Sequence, residues 1–497
     1  MNSYYGQILY SGAPELILAI AALFILTFDL TAMKETPRIY RTGIAAGFAT
    51  LACLAATGWM FTYPDQLSIS GGMLVLNPVN ELVKKVILLL VVATGLLATE
   101  VRFTRHVGEY YALLLLAAVG MLLLVSTENL LMIFISLELT SLCLYVLTAF
   151  NEKDRTSAEA GLKYFLFGGM SAAFLLFGLS YLYGLTGEIT LSGLAIALQA
   201  SGGDPLLNVG LAMILIGFGF KLAIVPFHFW APDVYQGAPV PSAVLIASAS
   251  KVAGIYVFSK VLFIGFAGWE WGRGAEASMI GWVPMVAFLA VFSMIFGNFA
   301  ALRQTSVRRL LAYSAIAHSG YLLVGLLIPR EQALAPLLFY VITYAVTTVG
   351  AFGVVAAVQG KGRDIALTDL AGLSRRAPLL SVCLMIFILS LAGIPPLTGF
   401  VAKIYLFAEA LKPDPENMRM LWVIIIGIVM SAVSLYYYLQ ILKQVFVAKP
   451  TGPILKVKVG FLGHSIIGLL AILVVVLGVA PEMLLNHLVS AVTELVW

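Results

Sequence analysis

Fourteen apolar stretches, separated by short polar connections, follow one another along the chain. Each is long enough to cross the roughly 30 Å hydrocarbon core of a bilayer as an α-helix. Helices are expected because lipid offers no hydrogen-bond partner to a free backbone N–H or C=O group. The sequence therefore predicts an all-α, polytopic membrane protein of about fourteen transmembrane helices. We number them span 1 to span 14, near residues 13–30, 40–62, 79–98, 110–126, 130–149, 160–185, 209–229, 240–265, 283–302, 310–328, 337–358, 379–411, 420–447 and 459–478.

The composition agrees with this class of protein and disfavours several others. Hydrophobic residues make up 61% of the 497 residues and charged residues only 11%, whereas a soluble domain carries about 25% charged residues. Cys53, Cys143 and Cys383 lie singly in separate apolar stretches, but zinc sites and iron–sulfur clusters need several converging ligands. No glycine-rich nucleotide motif follows a strand pattern, and nothing favours nucleic acid as a partner. We expect a chain that lies in the lipid bilayer and binds no cofactor or metal of its own.

The basic residues are divided unequally between the two sets of connections. Nineteen of the 29 lysines and arginines lie in connections that follow odd-numbered spans, and only four lie in those that follow even-numbered spans. Lysine and arginine accumulate in cytoplasmic loops, so the odd-numbered connections are predicted to be cytoplasmic. With fourteen spans, both termini then lie on the outer, periplasmic side.

Two of the spans combine an internal lysine with a proline that breaks the helix. Lys221 precedes Pro226 in GFGFKLAIVPFHFW, and Lys403 follows Pro395 and Pro396 in SLAGIPPLTGFVAKIYLF. Proline lacks a backbone N–H and clashes with the preceding turn, so spans 7 and 12 are predicted to be broken helices. Irregular backbone at membrane depth survives only where protein or a wet cavity surrounds it, and a buried ionisable residue there usually marks an ion or proton path.

The positions of these residues suggest an internal repeat. Spans 7 and 12 are five apart, and so are span 5, which carries Glu138, and span 10, which carries His318. Two five-span repeats explain both coincidences, and because five is odd the second copy is inverted, as in many transporters. The predicted organisation is therefore spans 1–3 in residues 1–109, one repeat (spans 4–8) in 110–265, the inverted repeat (spans 9–13) in 283–447, and span 14 with a tail in 448–497.

Glu138 and Lys221 are predicted to act as a pair. Glu138 stands in the middle of span 5 in NLLMIFISLELTSLCLYVL, where a carboxylate takes up a proton or finds a cation. A nearby carboxylate stabilises the ammonium form of a buried lysine, so a change in their separation would make the lysine bind or release its proton. The alternative is a static ion pair between two helices, although burying such a pair contributes little to stability.

Four further residues complete the set of candidates. Lys251 lies centrally in span 8 among small residues, which leave room for close helix approach and water. His318 is a possible proton carrier because histidine titrates near neutrality, and His228 adds a polar group beside the break in span 7; either could instead be an ordinary buried histidine. Lys260, nearer the end of span 8, is predicted to extend its amine to the membrane interface.

Three motifs in this order resemble a known family. PFHFWAPDVYQGAPVPSAVLIASASK, QTSVRRLLAYSAIAHSGYLLVGL and SLAGIPPLTGFVAKIYLF are similar to the antiporter-like subunits of respiratory complex I, the proton-translocating NADH–quinone oxidoreductase, and most similar to the N-type branch. The resemblance covers nearly the whole chain. It implies fourteen transmembrane helices with inverted repeats, in the cell inner (plasma) membrane. It also implies that Glu138, Lys221, Lys251 and Lys403 form a proton relay, the span-12 position being lysine in the N-type branch and glutamate in another.

The resemblance also implies a function and a set of partners. A chain of this family is expected to move protons without a redox centre of its own. FMN, iron–sulfur clusters and the quinone site are expected in partner subunits, and the neighbours in the membrane are expected to be other antiporter-like and small hydrophobic subunits. The alternative is a subunit of a multisubunit cation/proton antiporter, which shares the fold but has no redox partner.

Overall fold

The computed structural model describes residues 2–63, 66–200, 205–271, 281–359, 364–412, 419–449, 457 and 459–494. Five of the basic residues counted for the orientation lie outside these ranges, namely Arg273, Lys361, Arg363, Lys456 and Lys458.

The first half of the chain, up to the predicted end of span 8, is almost entirely helical. Its helices are α1 Asn2–Ser11, α2 Ala13–Thr31, α3 Arg38–Met60, α4 Pro78–Leu97, α5 Val107–Ser126, α6 Leu130–Thr148, α7 Arg155–Thr186, α8 Leu191–Ala200, α9 Pro205–Lys221, α10 Trp230–Gly237, α11 Val240–Ala247 and α12 Ala249–Lys260. A π-helical turn, Val261–Gly265, continues α12. Between α3 and α4, the strands β1 Leu67–Ile69 and β2 Leu74–Leu76 pair as an antiparallel hairpin.

The second half of the chain is also mostly helical. Its helices are α13 Trp282–Ala301, α14 Val307–Leu326, α15 Arg330–Gln359, α16 Leu373–Arg376, α17 Pro378–Ala392, α18 Thr398–Leu411, α19 Leu421–Phe446, α20 Phe461–Val479 and α21 Glu482–Thr493. A short 3₁₀ turn, Leu367–Leu370, precedes α16.

The prediction of an all-α, polytopic membrane protein is confirmed. Among the described residues, ten helical segments are long and apolar enough to cross a membrane. Every predicted span falls on a helix. Span 12 falls on α17 and α18 with a proline-containing break between them, and span 7 falls on α9 and the proline-containing break that precedes α10. The number of fourteen crossings stays a prediction.

Side-chain caps fix the start of several helices. The side chains of Asn77, Asn129, Asp154 and Ser306 accept hydrogen bonds from backbone N–H groups in the first turns of α4, α6, α7 and α14. These polar side chains satisfy N–H groups that have no partner within the helix. The cap at Asn129 explains how α5 and α6 can be separate helices with only three residues between them.

The same local structure occurs at two places five spans apart. Asn129, before α6, forms an isolated antiparallel bridge with Thr190, which follows α7. Ser306, before α14, forms the same kind of bridge with Ala366, which follows α15. In both places the first residue of the bridge is also the cap of the next helix. These parallels support the predicted five-span repeat, whose inverted arrangement stays a prediction.

The helices divide into a central group and a peripheral group. The segment Val240–Gly265 and helix α15 are buried almost all round, as expected for helices that are apolar on every face and lie inside a bundle. Helices α2, α3, α7, α19 and α20 expose large apolar side chains, for example Phe177 and Leu469. The exposed apolar faces are suited to contact with lipid, and the ionisable candidates of spans 8, 10 and 12 lie inside.

Several small elements were not predicted. The hairpin β1–β2 has strands of only three residues, which are too short to produce a recognisable alternation of apolar and polar residues. Helices α1, α8 and α21 have 10, 10 and 12 residues, which is too short to span a bilayer, and they were assigned to connections or tails.

Candidate proton-transfer site

Lys221 is the last residue of α9 and lies at the first helix break. Beyond it Ala223 adopts a positive φ of 56°, and the chain resumes a helix only at the start of α10. The Val225–Pro226 peptide bond in this break is cis. The backbone N–H of Val225 donates to Ser293 Oγ at 3.0 Å, so a side chain of α13 satisfies a group that the interrupted helix leaves free.

Lys221 faces α6, the helix that carries Glu138. Its side chain is buried, with the residue 5% exposed, and Nζ donates to Ser141 Oγ at 3.3 Å. Glu138 is half-buried and interacts electrostatically with the lysine, but the two side chains form no ion pair within 4.0 Å. In this conformation the carboxylate and the ammonium group are near each other without direct contact.

Lys251 points from α12 into the interface with α14. It is 2% exposed, and Nζ donates to the carbonyl oxygen of Ala315 at 2.8 Å and to Ser319 Oγ at 2.9 Å. The amine also lies 5.1 Å from the ring centroid of Tyr344, within the range of a cation–π interaction. Two hydrogen bonds and an aromatic ring thus stabilise the buried Lys251. Among the described residues it forms no ion pair with a carboxylate.

Ser319 joins Lys251 to the break in span 7. Its hydroxyl accepts from Lys251 Nζ and lies 2.6 Å from the carbonyl oxygen of Leu222, to which it donates. Leu222 follows Lys221 directly, and its carbonyl is the group that Pro226 prevents from forming a helical hydrogen bond. The two lysines are therefore linked through one serine and the broken turn. Ser319 was not among the predicted candidates, although it follows His318 in the second of the quoted motifs.

His318 lies between Lys251 and Lys403 in an aromatic environment. It is 4% exposed, and the charges of both lysines act on it. Its Nδ1 lies 2.9 Å from Tyr340 Oη, and its Nε2 lies 3.3 Å from Tyr438 Oη. The phenols give the imidazole hydrogen-bond partners on both nitrogens, an arrangement that suits either a proton carrier or a satisfied buried histidine.

Lys403 occupies the second break. Its Nζ donates to the carbonyl oxygens of Leu391 and Ala392, both at 3.2 Å, and to Ser431 Oγ at 2.8 Å. The two carbonyls end α17, where a helix has unpaired acceptors and a partial negative charge. Gly393 ends this helix with a φ of 84°, and a Cβ there would lie 3.2 Å from Lys403 Nζ, so a side chain would crowd the amine. The Pro395–Pro396 peptide bond is also cis.

A small cavity lies between His318 and the second break. Its volume is about 10 Å³, and its lining includes His318, Tyr344, Ser390 and Gly399. This is close to the room that one water molecule needs. The lining offers hydroxyl and imidazole groups, so the cavity provides a place for a water between His318 and the segment that holds Lys403.

His228 is not brought together with the lysines. Its ring is buried and packs against Phe229 and Phe296, with centroids 4.5 and 4.6 Å apart. Its Nδ1 has no hydrogen-bond partner among the described residues. Its described partners are these two aromatic rings and the backbone of Pro226, with which it forms a hydrogen bond.

The prediction that Lys260 reaches the membrane interface is wrong. The residue is 1% exposed, and Nζ donates to the carbonyl oxygens of Val125 and Thr127 at the end of α5, with Glu128 Oε1 3.6 Å away. A lysine near the end of a helix looks the same in the sequence whether its amine reaches water or is buried. Only tertiary packing brings the end of α5 and Glu128 to Lys260.

An ion-pair cluster lies at the end of span 7 on the side of the odd-numbered connections. Asp233 of α10 accepts from Lys163 Nζ at 2.7 Å and from Arg309 Nη1 at 2.6 Å. Gln236 extends the cluster by contacting Arg309 at 3.0 Å and Asp364 at 2.6 Å. Burial alone would raise the pKa of Asp233, but the hydrogen bonds from Lys163 and Arg309 hold that pKa below its usual value. The cluster ties α7, α10 and α14 together around the first break.

Replacement of Asp233 by asparagine is expected to lower the thermal stability of the subunit. The loss should be about 1 kcal/mol at neutral pH, because the side chain is partly exposed and solvent screens the pairs. The lowered pKa means that this stabilisation is present above the unfolded value of about 3.9 and is lost as pH falls through the folded value. The difference in thermal midpoint between wild type and Asp233→Asn should therefore shrink below pH about 4.

The matched control for this prediction is Glu159→Gln. Glu159 also pairs with Lys163, at 2.7 Å, but its side chain is 64% exposed, so the midpoint should hardly change. Equal effects of the two substitutions, or a difference that does not depend on pH, would contradict the role given to Asp233.

Comparison with known proteins identifies the family. A family model described as "NADH:quinone oxidoreductase/Mrp antiporter, TM" matches residues 127–434. NADH-quinone oxidoreductase subunit N 2 of Acidobacterium capsulatum is 49% identical over 494 residues, covering 97% of this chain and 99% of that relative. The chain belongs to the N-type subunits of NADH-quinone oxidoreductase. This N-type subunit is thus an antiporter-like, multi-pass membrane subunit of an enzyme complex, and the resemblance read from the motifs is confirmed.

Solved structures agree with the fold of this N-type subunit. A chain of respiratory complex I from Thermus thermophilus, determined with bound Aureothin, is 32% identical with a TM-score of 0.77, covering 95% of this chain and 98% of that one. A chain of the Mrp complex from a Dietzia species has a TM-score of 0.82 at 21% identity, covering 98% and 97% of the two chains. The second likeness shows a common fold alone.

Proposed function

We propose that this N-type subunit translocates protons through Glu138, Lys221, Lys251 and Lys403, coupled to quinone reduction in partner subunits. In this proposal the subunit holds no cofactor, and FMN, iron–sulfur clusters and the quinone belong to the partners. The subunit lies in the cell inner membrane with both termini on the periplasmic side, beside other antiporter-like and small hydrophobic subunits. The unequal distribution of lysine and arginine supports the orientation.

The observation that carries the proposal is the contact between Lys251, Ser319 and the carbonyl of Leu222. Burial makes an ammonium group costly, so a lysine that is held at membrane depth requires a function or a compensating partner. Lys251 is held there by a serine that also binds the broken turn next to Lys221. A movement of the break would therefore change the position of Ser319 and the hydrogen bond that it accepts from Lys251.

The proposed sequence of events begins at the Glu138–Lys221 pair. When Glu138 approaches, its carboxylate stabilises the ammonium form of Lys221; when it withdraws, burial favours release of the proton. The proton then passes to Lys251 by way of water near Ser319, since the hydroxyl can both accept and donate.

The last part of the path runs from Lys251 to Lys403. His318 lies within the electrostatic reach of both lysines, and the cavity beside it has room for about one water. Tyr340 and Tyr438 provide further hydroxyl groups. Lys403, surrounded by two helix-end carbonyls and Ser431, is the proposed site of release. The surroundings of His228 do not support a role for it in the proton path.

The experiment that tests the link is Ser319→Ala in the assembled complex. Removing the hydroxyl deletes the contact with Leu222 and one hydrogen bond of Lys251 but leaves every charge in place. The rate of proton uptake through this subunit, measured in sealed vesicles, is expected to fall by roughly tenfold, because the lost hydrogen bond costs about 1.4 kcal/mol. Ser259→Ala is the control, because the Ser259 hydroxyl donates only to Tyr256 O of its own helix. Unchanged proton uptake in Ser319→Ala would contradict the proposal.

A cation/proton antiporter subunit is the second candidate, because the family model that matches residues 127–434 is described for both NADH:quinone oxidoreductase and the Mrp antiporter. The two functions differ in their driving force. Proton movement by an oxidoreductase subunit stops when quinone reduction is inhibited, whereas an antiporter continues to exchange protons for a cation when a cation gradient is imposed. The 49% identity to a named subunit N over nearly the full length favours the first.

A further inference from the structure

A cleft on the side of the odd-numbered connections collects cationic side chains without ion-pair partners. Its volume is about 430 Å³. Four of its lining residues carry a permanent positive charge and form no ion pair within the described chain, namely Arg38, Arg102, Arg105 and Lys153. Unpaired basic groups in one concave surface create a strongly positive potential and favour an anionic ligand.

The acidic groups at this cleft are already engaged. Asp154 caps α7 by accepting from the backbone N–H and the hydroxyl of Thr156 at 3.0 and 2.7 Å. Glu152 lies 3.2 Å from His106 Nε2, and the other nitrogen of this ring lies 3.0 Å from Glu109. The carboxylates at the cleft therefore have other hydrogen-bond partners, and the lining carries four permanent positive charges against two carboxylates.

A second cleft continues the first toward the lipid-facing surface. It has a volume of about 650 Å³ and shares Arg38 and Arg102 with the first. Its one acidic lining residue, Glu100, accepts hydrogen bonds from the backbone N–H groups of Gly460 and Gly463 at 2.8 and 3.2 Å. Glu100 is thus occupied at the start of α20, and the two arginines stand at the junction of both clefts.

Apolar side chains flank this junction on the outside of the bundle. Ile39 of α3 is 69% exposed, and Phe461 and Leu462 of α20 are 85% and 49% exposed. Ile39 and Leu462 line the second cleft itself. A positive pocket at the level of the loops thus passes directly into an apolar surface at the level of the membrane. These are the two environments that the headgroup and the acyl chains of a phospholipid require.

We propose that these clefts bind an anionic phospholipid. Its phosphate lies between Arg38 and Arg102, and its acyl chains lie along α3 and α20 beside Ile39 and Leu462. Arginine suits this role because its planar guanidinium offers paired donors to phosphate oxygens. The two arginines lie close enough for their charges to repel each other, and an anion between them removes that repulsion. Basic pockets between transmembrane helices on the cytoplasmic side are known to bind anionic headgroups. The inference is independent of the proton relay.

The test is photolabelling of the intact complex in vesicles. The complex is reconstituted in phosphatidylcholine with a trace of a photoactivatable phosphatidylglycerol, and the label in the connection between α4 and α5 is quantified. Unlabelled phosphatidylglycerol should compete with the label, whereas added phosphatidylcholine should not. Each basic contact with a lipid surface contributes about a fivefold change in binding, so labelling should fall about fivefold in Arg102→Gln and roughly thirtyfold in Arg38→Gln/Arg102→Gln.

Controls keep the test decisive. Arg375→Gln removes an exposed arginine from the same side of the membrane but outside both clefts, and labelling should not change. Arg38 also donates to Val101 O at 3.2 Å, so its loss could disturb the loop. Arg102→Gln and Lys153→Gln affect exposed side chains and test the site without that contact. Labelling that is insensitive to these substitutions, or competed equally by phosphatidylcholine, would overturn the proposal. Equal competition by inorganic phosphate would identify a site for free anions and would also overturn it.

Discussion

Replacement of Lys251 by methionine is expected to stop proton transfer through this subunit while the complex still assembles. Methionine fills a similar volume, and the residue's neighbours on α12 are small, so packing should be kept. Without the amine, however, no group in the centre of α12 can hold a proton. A proton would then have to cross this region without a basic group to bind it, and an uncompensated charge at membrane depth costs at least about 2.5 kcal/mol. Proton transfer should therefore slow by roughly a hundredfold. The measurement is acidification of sealed vesicles during NADH oxidation, with assembly checked on a native gel.

The matched substitution at the same position is Lys251→Arg. Arginine keeps the positive charge and can still donate to Ala315 O and Ser319 Oγ, the two acceptors of Lys251. It cannot release its proton in a protein. If Lys251 carries protons, the arginine variant should assemble well and pump as poorly as the methionine variant. Pumping at the wild-type level in Lys251→Arg would show that only the charge is needed, and the relay through Lys251 would be wrong.

Removal of Lys221 is expected to have the second large effect. In Lys221→Ala, Glu138 loses the nearby positive charge that acts on it, and the path loses its first proton carrier. Proton uptake should collapse, and electron transfer should slow to the extent that the two processes are coupled. Glu138→Gln should act in the same direction but less strongly, because the carboxylate that stabilises the ammonium form is lost while the Lys221 amine and its bond to Ser141 Oγ remain. The readout is the ratio of protons taken up to electrons transferred.

The sequence was sufficient to predict the main features of the fold and the principal charged residues. The length of the apolar stretches predicted the helices, and proline predicted both breaks, because these are local properties of the chain. The parallel between the bridges at Asn129 and Ser306 could not be predicted, since each bridge joins residues about 60 positions apart. The hairpin β1–β2 was missed for a different reason, because its three-residue strands are too short to show an alternating pattern.

The sequence was less informative about what surrounds each candidate. Lys251, Lys221 and Lys403 were selected because a charge inside an apolar helix is conspicuous. Ser319 was missed because serine is common in membrane helices and its importance depends on two partners from other helices. Lys260 was misread for the opposite reason, since its position near a helix end suggested water while tertiary packing buries it. His228 was chosen for its proximity in sequence to Pro226, and its ring contacts two phenylalanines besides the Pro226 backbone.

The most direct test of the central claim is the ratio of protons to electrons in Lys221→Ala, measured in sealed vesicles that contain the assembled complex. Lys85→Ala serves as the control, because Lys85 pairs with Glu81 on α4 at 3.1 Å and lies outside the relay. The relay predicts that the ratio falls well below the wild-type value in Lys221→Ala and remains at that value in Lys85→Ala. A wild-type ratio together with a wild-type rate of electron transfer in the assembled Lys221→Ala complex would contradict it.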